Sequence, residues 1–244
     1  MKLGKIFNKK VLILGASSDI GLEILKKYLS KGYNILAHYN KGNKKLFDLQ
    51  KKNKKRISLY HLNLLDSENK LKKFYKNKLL NDCNVVINAS AHLKDIKFEK
   101  IDLKILLETF KVNLFPSIFL TMKLGPQMSK RGWGRIVHLG SIGVKFGGGK
   151  QNFPYSLSKH ALEFFPSITK EWVKNNVLVN TIRVGATNTK LHKKLPSKNL
   201  KIRAALIPMK RMAEPKEIAE YVYYIGSDEN TYISNQVLSI SGGE

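Results

Sequence analysis

Seven short apolar runs punctuate the chain, at residues 11–14, 33–39, 57–62, 85–88, 135–139, 177–184 and 236–240. Each is rich in Val, Ile, Leu or Tyr and bounded by polar or turn-forming residues, so each reads as a β-strand. Runs such as Val-Leu-Ile-Leu and Asn-Val-Val-Ile-Asn lack polar alternation, the pattern of parallel strands covered on both faces. Between them lie longer segments in which Leu, Ile, Phe and Tyr recur at helical spacing among Lys and Asn. This β-α alternation predicts an α/β fold with a doubly wound, mostly parallel sheet. No repeat, linker or break in composition divides it, so residues 1–244 are expected to form a single domain. The irregular stretch 185–215, with Pro196, Pro208 and Pro215, reads as a functional loop.

Charge modifies this picture less than its size implies. Against 44 Lys and Arg stand 18 Asp and Glu, a net charge of +26, which ordinarily raises a polyanionic partner. The basic residues are overwhelmingly Lys, and their runs are interrupted at helical spacing by Leu46, Leu49, Leu71, Phe74 and Tyr75. That is the pattern of solvated helix faces, and Arg, the residue of bidentate phosphate and base recognition, is scarce. Nucleic acid is therefore not an expected partner. The apolar runs fall short of the roughly 20 residues of a membrane helix, so no span is expected. The basic N-terminus leads directly into a strand without the apolar core of a secretory signal, and the cytoplasm is the expected location. A single cysteine, Cys83, excludes an intramolecular disulfide and a cysteine zinc cage. The six histidines, 38, 61, 92, 138, 160 and 192, show no ligand spacing; they are read as packing or solvent residues, and no metal is expected.

After the first strand comes Gly15-Ala-Ser-Ser-Asp-Ile-Gly21, opening into an amphipathic helix. A strand, a glycine turn and a helix N-terminus present backbone N–H groups and a positive dipole end to a pyrophosphate. Ser17, Ser18, Asp19 and Ile20 thus join the two glycines as candidate cofactor contacts. The second strand ends Tyr39-Asn40-Lys41, where a 2′-hydroxyl-binding acid would otherwise stand. Its absence, with an amide and a cation present, favours NADP(H) over NAD(H). Asn63 and Leu64 are candidates for the adenine, and Asn88, Ala89 and Ser90 for a ribose.

The catalytic candidates lie in Gly134-Arg-Ile-Val-His-Leu-Gly-Ser141 and Tyr155-Ser-Leu-Ser-Lys159. Tyr155 and Lys159 share one face of a helix. An ammonium beside a phenol lowers its pKa towards the range of a general acid or base. Ser141, at a strand's carboxyl end, can hydrogen-bond a substrate oxygen.

These motifs, in this order, resemble the short-chain dehydrogenase/reductase family. The resemblance spans the chain and extends through Asn88-Ala-Ser90, Val112-Asn-Leu114, Val179-Asn180, Thr189 and Ser241-Gly-Gly243. It implies a Rossmann-type sheet and a nicotinamide-dependent oxidoreductase interconverting a ketone and a secondary alcohol. Tyr155 would be the acid/base, Ser141 the substrate-positioning residue, and Lys159 the ribose ligand that lowers the Tyr155 pKa. Asn113 would hold a relay water. Gly185, Thr187 and Thr189 would contact the cofactor, and residues 186–212 would cover the substrate.

Several departures stand out. Asp19 replaces a glycine and is expected to cap the helix, pointing away from the phosphates. Val184 replaces a proline, and Ile87 and Ser90 alter the Asn-Asn-Ala-Gly signature. Pro166 is expected to kink the helix bearing Tyr155 and Lys159, a helix such enzymes use in homodimers or homotetramers. The closing pattern is similar to 3-oxoacyl-carrier-protein reductases, whose acidic carrier would meet a basic rim of Arg131, Lys193, Lys194, Lys198, Lys201 and Arg203. An anionic sugar or sugar-nucleotide remains an alternative substrate, and a non-catalytic nucleotide- or polyanion-binding protein a reading of another class.

Overall fold

A computed structural model describes residues 9–193 and 199–244. Strands form at β1 (Lys10–Leu14), β2 (Asn34–Tyr39), β3 (Ile57–His61), β4 (Val85–Asn88), β5 (Gly134–Leu139), β6 (Val177–Val184) and β7 (Val237–Ile240). They build one sheet in the order β3-β2-β1-β4-β5-β6-β7, and every pairing is parallel. The continuous apolar runs have a direct cause. In β1, Val11 and Ile13 enter the core on one face of the sheet while Leu12 and Leu14 enter the core on the other.

The helices are α1 (Asp19–Ser30), α2 (Lys44–Lys52), α3 (Glu68–Tyr75), α4 (Leu103–Asn113), α5 (Phe115–Arg131), α6 (Phe153–Ala161), α7 (Ile168–Trp172), α8 (Lys190–Lys193), α9 (Leu200–Leu206) and α10 (Pro215–Ile225). On one face α1 and α10 bury Leu22, Leu25, Tyr28, Ile218 and Val222. On the other α3 and α5 bury Phe74, Leu120, Leu124 and Met128. Each such side chain contributes roughly 1.5–3 kcal/mol of transfer free energy. The lysine runs fall as their spacing predicts: α2 exposes Lys44, Lys45, Lys51 and Lys52 and buries Leu46.

One expectation is corrected. Pro166 does not kink a continuous helix. α6 stops at Ala161 and α7 starts at Ile168, because proline has no N–H for the Leu162 carbonyl, which instead accepts the Thr181 hydroxyl at 2.6 Å. Among the described residues, Leu103–Arg131, 29 residues, is the stretch that by length and composition alone suffices to cross a membrane. Here that stretch breaks at Leu114 and packs on the sheet through Leu120, Leu124 and Met128.

The strand order reverses direction between β1 and β4. Loops leaving their carboxyl ends diverge to opposite faces there and open a crevice, the position where ligands bind in such sheets.

Candidate functional site

That crevice is a cleft of about 1120 Å³. Its walls come from the carboxyl ends of four strands: Ser17 to Ile20 after β1, Ala89 to Ala91 after β4, Leu139 to Gly143 at β5, and Val184 to Thr189 at β6. Lys41, Tyr155 and Lys159 complete them. The polar residues read from widely separated motifs are thus brought to one place.

The glycine turn is built without room for side chains. Gly15 has φ +73°, and a Cβ there would lie 2.8 Å from the Ala89 carbonyl oxygen. One on Gly21 would lie 2.2 Å from the Gly15 carbonyl oxygen. Ser18, not Asp19, caps α1, its Oγ accepting from the Gly21 N–H at 3.0 Å. The first-turn N–H groups of Asp19 and Ile20 have no intrahelical acceptor and belong to residues on the cleft wall. A cradle of backbone donors too tight for a Cβ fits the pyrophosphate of a dinucleotide. Asp19 neither caps the helix nor stands free; its Oδ2 accepts the Lys190 N–H at 2.7 Å.

Sequence reasoning missed what holds this turn. His38 is buried at the end of β2; its Nδ1 accepts from the Gly15 N–H at 3.2 Å, and its Nε2 lies 3.0 Å from the Leu62 carbonyl. An obligate donor at one nitrogen and an obligate acceptor at the other fix the neutral tautomer with the proton on Nε2. Burial brings the His38 pKa down to about 4. Asn43 adds a second tie, donating to the Ser17 carbonyl at 2.6 Å while capping α2. Neither residue belongs to a motif, and their positions just before and after the Tyr39-Asn40-Lys41 segment are the signal that was available.

The nucleotide candidates divide. Lys41, Ala89, Ser90, Gly185, Thr187 and Thr189 line the cleft. Tyr39 packs against Phe47 and His61, and Asn40 is exposed, with its amide 3.4 Å from Asn63 Oδ1. Leu64 lies in the core and not on the wall. Asn88 is fully buried; its amide donates to Ser117 and accepts both the N–H and the hydroxyl of Ser90, so it shapes the end of β4 from behind.

At the catalytic end, the Tyr155 phenol stands beside the Ser141 hydroxyl, and Ser141 Oγ also accepts from the Gly143 N–H. Burial pushes the Tyr155 pKa up to about 12, partly offset by Ser141. Lys159 Nζ donates to the carbonyls of Leu139 (2.7 Å) and Ser90 (3.3 Å) and lies 5.8 Å from the Tyr155 ring centroid. Burial lowers the Lys159 pKa to about 7. Ser141 is the neighbour that lowers the Tyr155 pKa here, while the Lys159 amine is turned to backbone carbonyls. Asn113 is a clamp: its Nδ2 donates to the His92 carbonyl and Ser158 Oγ, and its Oδ1 accepts the His92 N–H. Both amide hydrogens are used, so neither is available to a relay water.

The expected basic rim is partly redrawn. Arg203 lines the cleft and pairs with Glu244, and Lys193 and Lys201 are exposed nearby in sequence. Lys194, Pro196 and Lys198 lie outside the described residues. Arg131 does not belong to the rim. It closes α5 and donates to the carbonyls of Asn81 and Cys83 before β4, at the opposite, amino edge of the sheet. Among the described residues no three of His, Cys, Asp and Glu are grouped as a metal site.

Comparison with known proteins agrees with this architecture. A family model described as "Enoyl-(Acyl carrier protein) reductase" matches residues 15–244. A 3-oxoacyl-[acyl-carrier-protein] reductase, FabG, of Aquifex aeolicus is 29% identical over 244 residues, covering 98% of each chain. An acetoacetyl-CoA reductase of an Acinetobacter species is 27% identical over 242 residues, covering 96% of this chain and 97% of the relative. Among solved structures, a 3-oxoacyl (acyl-carrier-protein) reductase from Agrobacterium tumefaciens with NADP bound superposes with a TM-score of 0.85 at 18% identity, covering 100% of this chain and 98% of that one. With the ordered motifs converging on one cleft of a seven-stranded parallel sheet, the chain belongs to the short-chain dehydrogenase/reductase family, NAD(P)-dependent oxidoreductases acting on CH–OH groups.

Proposed function

We propose that this protein reduces the ketone of a 3-oxoacyl thioester to a secondary alcohol with NADPH. The observation that carries the substrate is the lining beyond Ser141 and Tyr155: Ile142, Phe146, Leu191, Leu206 and Pro208. An acyl chain gains by leaving water for such a wall, whereas sugar hydroxyls placed there would lose hydrogen bonds. Lys145 on the same wall suits the anionic arm of a carrier or coenzyme thioester, in line with the relatives named for acyl-carrier and CoA substrates. NADPH is favoured over NADH because Lys41 lines the cleft and no acid follows β2.

A bound nicotinamide supplies the hydride to the carbonyl carbon. Ser141 donates a hydrogen bond to the carbonyl oxygen and orients it. The Tyr155 phenol is protonated at neutral pH, its pKa near 12, and gives its proton to that oxygen as negative charge develops. Lys159, with a pKa near 7, is suited to return a proton to the Tyr155 phenolate, and in its charged form stabilises it. Asn113 acts by holding the chain at His92 to α6 through Ser158. Residues 186–193 and 199–212 cover the substrate. We infer a cytoplasmic location, where NADPH is at hand for such a reduction. The exposed apolar side chains Leu103, Leu107, Ile118, Phe119 and Met122 along α4 and α5 form the contact of a homodimer or homotetramer.

The test is NADPH oxidation followed by absorbance with acetoacetyl thioesters, beside keto-sugars. Thioester turnover that is lost in Tyr155→Phe, with NADPH binding retained, is the expected result. Turnover of keto-sugars alone overturns the substrate assignment, and absence of nucleotide binding overturns the function.

A further inference from the structure

Asp19 stands between the glycines of the nucleotide turn, yet its side chain serves a segment 171 residues away. Its Oδ2 accepts the backbone N–H of Lys190, the first residue of α8. The chain before Lys190 is fastened elsewhere. Thr187 bridges to Ala213, and Asn188 bonds to the Ala213 carbonyl and the Glu214 carboxylate. Beyond Lys190, Lys193 turns back onto the Thr189 carbonyl. The Asp19 bond therefore ties the substrate-covering segment to the nucleotide turn at the cleft, which both Asp19 and Lys190 line.

A carboxylate here has a cost and a compensation. In the first turn of α1 its negative charge stands beside the backbone donors that would hold a phosphate, and repels one. It is stabilised by the helix dipole and by a charge-assisted bond to the Lys190 amide. Glycine at this position would offer no acceptor, and since Ser18 supplies the cap, the helix does not need Asp19 to start.

We propose that Asp19 is a positioning residue, a clasp that seats the Thr189–Lys190 turn on the nucleotide turn, so that cofactor release requires the Asp19–Lys190 bond to open. The inference rests on the proposed use of a dinucleotide in this cleft. A diphosphate held by the first-turn amides of α1 lies next to the clasp, and the seated segment carries Leu191 and His192, both on the cleft wall, towards the substrate end. Asparagine keeps the accepting oxygen and drops the charge; alanine removes both.

Two measurements on the full chain decide it. In amide hydrogen exchange of the cofactor-free protein, the segment beginning at Lys190 exchanges faster in Asp19→Ala, while Asp19→Asn stays near the wild type. In stopped-flow displacement, NADPH leaves Asp19→Ala about tenfold faster than Asp19→Asn, since the two variants share the loss of charge and differ in the oxygen that accepts from Lys190. In Asp19→Ala the KM for the carbonyl substrate rises more than kcat falls, a split that a defect in folding alone does not produce. Wild-type protein that binds no NADPH overturns the proposed function itself. NADPH binding with equal release and equal exchange in Asp19→Asn and Asp19→Ala overturns this inference alone.

Discussion

Pro116 has no N–H to give the carbonyl of Val112, four residues before it, and that carbonyl lies 2.9 Å from the Ser90 hydroxyl, whose one proton it shares with Asn88 Oδ1. The helix divides into α4 and α5 at Leu114, and Asn113, the last residue of α4, clamps His92 and Ser158 with its amide. Ser90 in turn bonds Asn88 and presents its carbonyl to Lys159. A missing backbone donor is thus connected, through one serine, to the amine at the catalytic end. Pro166 repeats the device: the carbonyl it leaves free, on Leu162, takes the hydroxyl of Thr181.

Restoring the donor tests the first connection. In Pro116→Ala the new N–H competes for the Val112 carbonyl, and the Ser90 hydroxyl loses an acceptor. Because Pro116 stands in the first turn of α5, where proline is tolerated and restricts the unfolded chain, the melting temperature holds or falls slightly. Activity falls more sharply, with kcat/KM lower by about fivefold to tenfold, as one neutral hydrogen bond near the site is lost. Thermal unfolding and steady-state kinetics on the same sample check that activity falls at temperatures where the variant is still folded.

The second connection is structural. Thr181 is buried on β6, and Thr181→Val keeps its shape while leaving the Leu162 carbonyl without its hydroxyl partner. An unsatisfied buried carbonyl costs about 1–3 kcal/mol. Urea denaturation reads this as a lower midpoint with an unchanged slope.

The strands were legible because burial on both faces writes itself as an unbroken apolar run. The residues on the cleft wall were legible because the chemistry needs particular residue types next to glycine turns and strand ends. The Asp19–Lys190 bond, the His38 ties and the Arg131 placement were not, since each joins positions far apart in sequence by a backbone group that every residue carries. Arg135 makes the same point. Within an apolar strand it is 1% exposed, lies over the Trp133 ring and donates to the carbonyls of Ser227, Asn176 and Asn230. Periodicity signals which side chains leave water, but not where a lone carbonyl finds its donor.

Two buried histidines set the acid limb of stability. Burial lowers the pKa of both His38 and His138 from 6.5 to about 4, with His61 acting on the first and Lys159 on the second in the same direction. The unfolded chain therefore binds more protons between these values. Stability is present above pH 6.5 and is lost as pH falls to about 4, by on the order of 3 kcal/mol for each histidine at most. His138 Nδ1 has no hydrogen-bond partner, so His138→Leu removes this penalty at little polar cost. Urea denaturation from pH 7 to 4.5 gives a shallower decline in the variant; parallel declines contradict the assignment.

Lys159 governs the alkaline side in the opposite range of pH. Burial takes its pKa from 10.5 to about 7, so the unfolded chain again binds the extra proton, now between those two values. The contribution is absent below pH 7 and grows as pH rises towards 10.5, reaching roughly 4–5 kcal/mol at most. Tyr28, Tyr33, Tyr75 and Tyr155 do not cancel it there. Their pKa values are raised by burial above 10.0, so their contribution is lost only above pH 10. Between pH 7 and 10 the melting temperature of the cofactor-free wild type is expected to climb relative to Lys159→Met, which keeps the length of the side chain without its charge. Saturating NADPH gives the ammonium new partners under the proposed role, raises its pKa and flattens the climb. A flat profile without cofactor removes the buried, nearly neutral amine from the account, and a climb unaffected by NADPH removes Lys159 from the cofactor site.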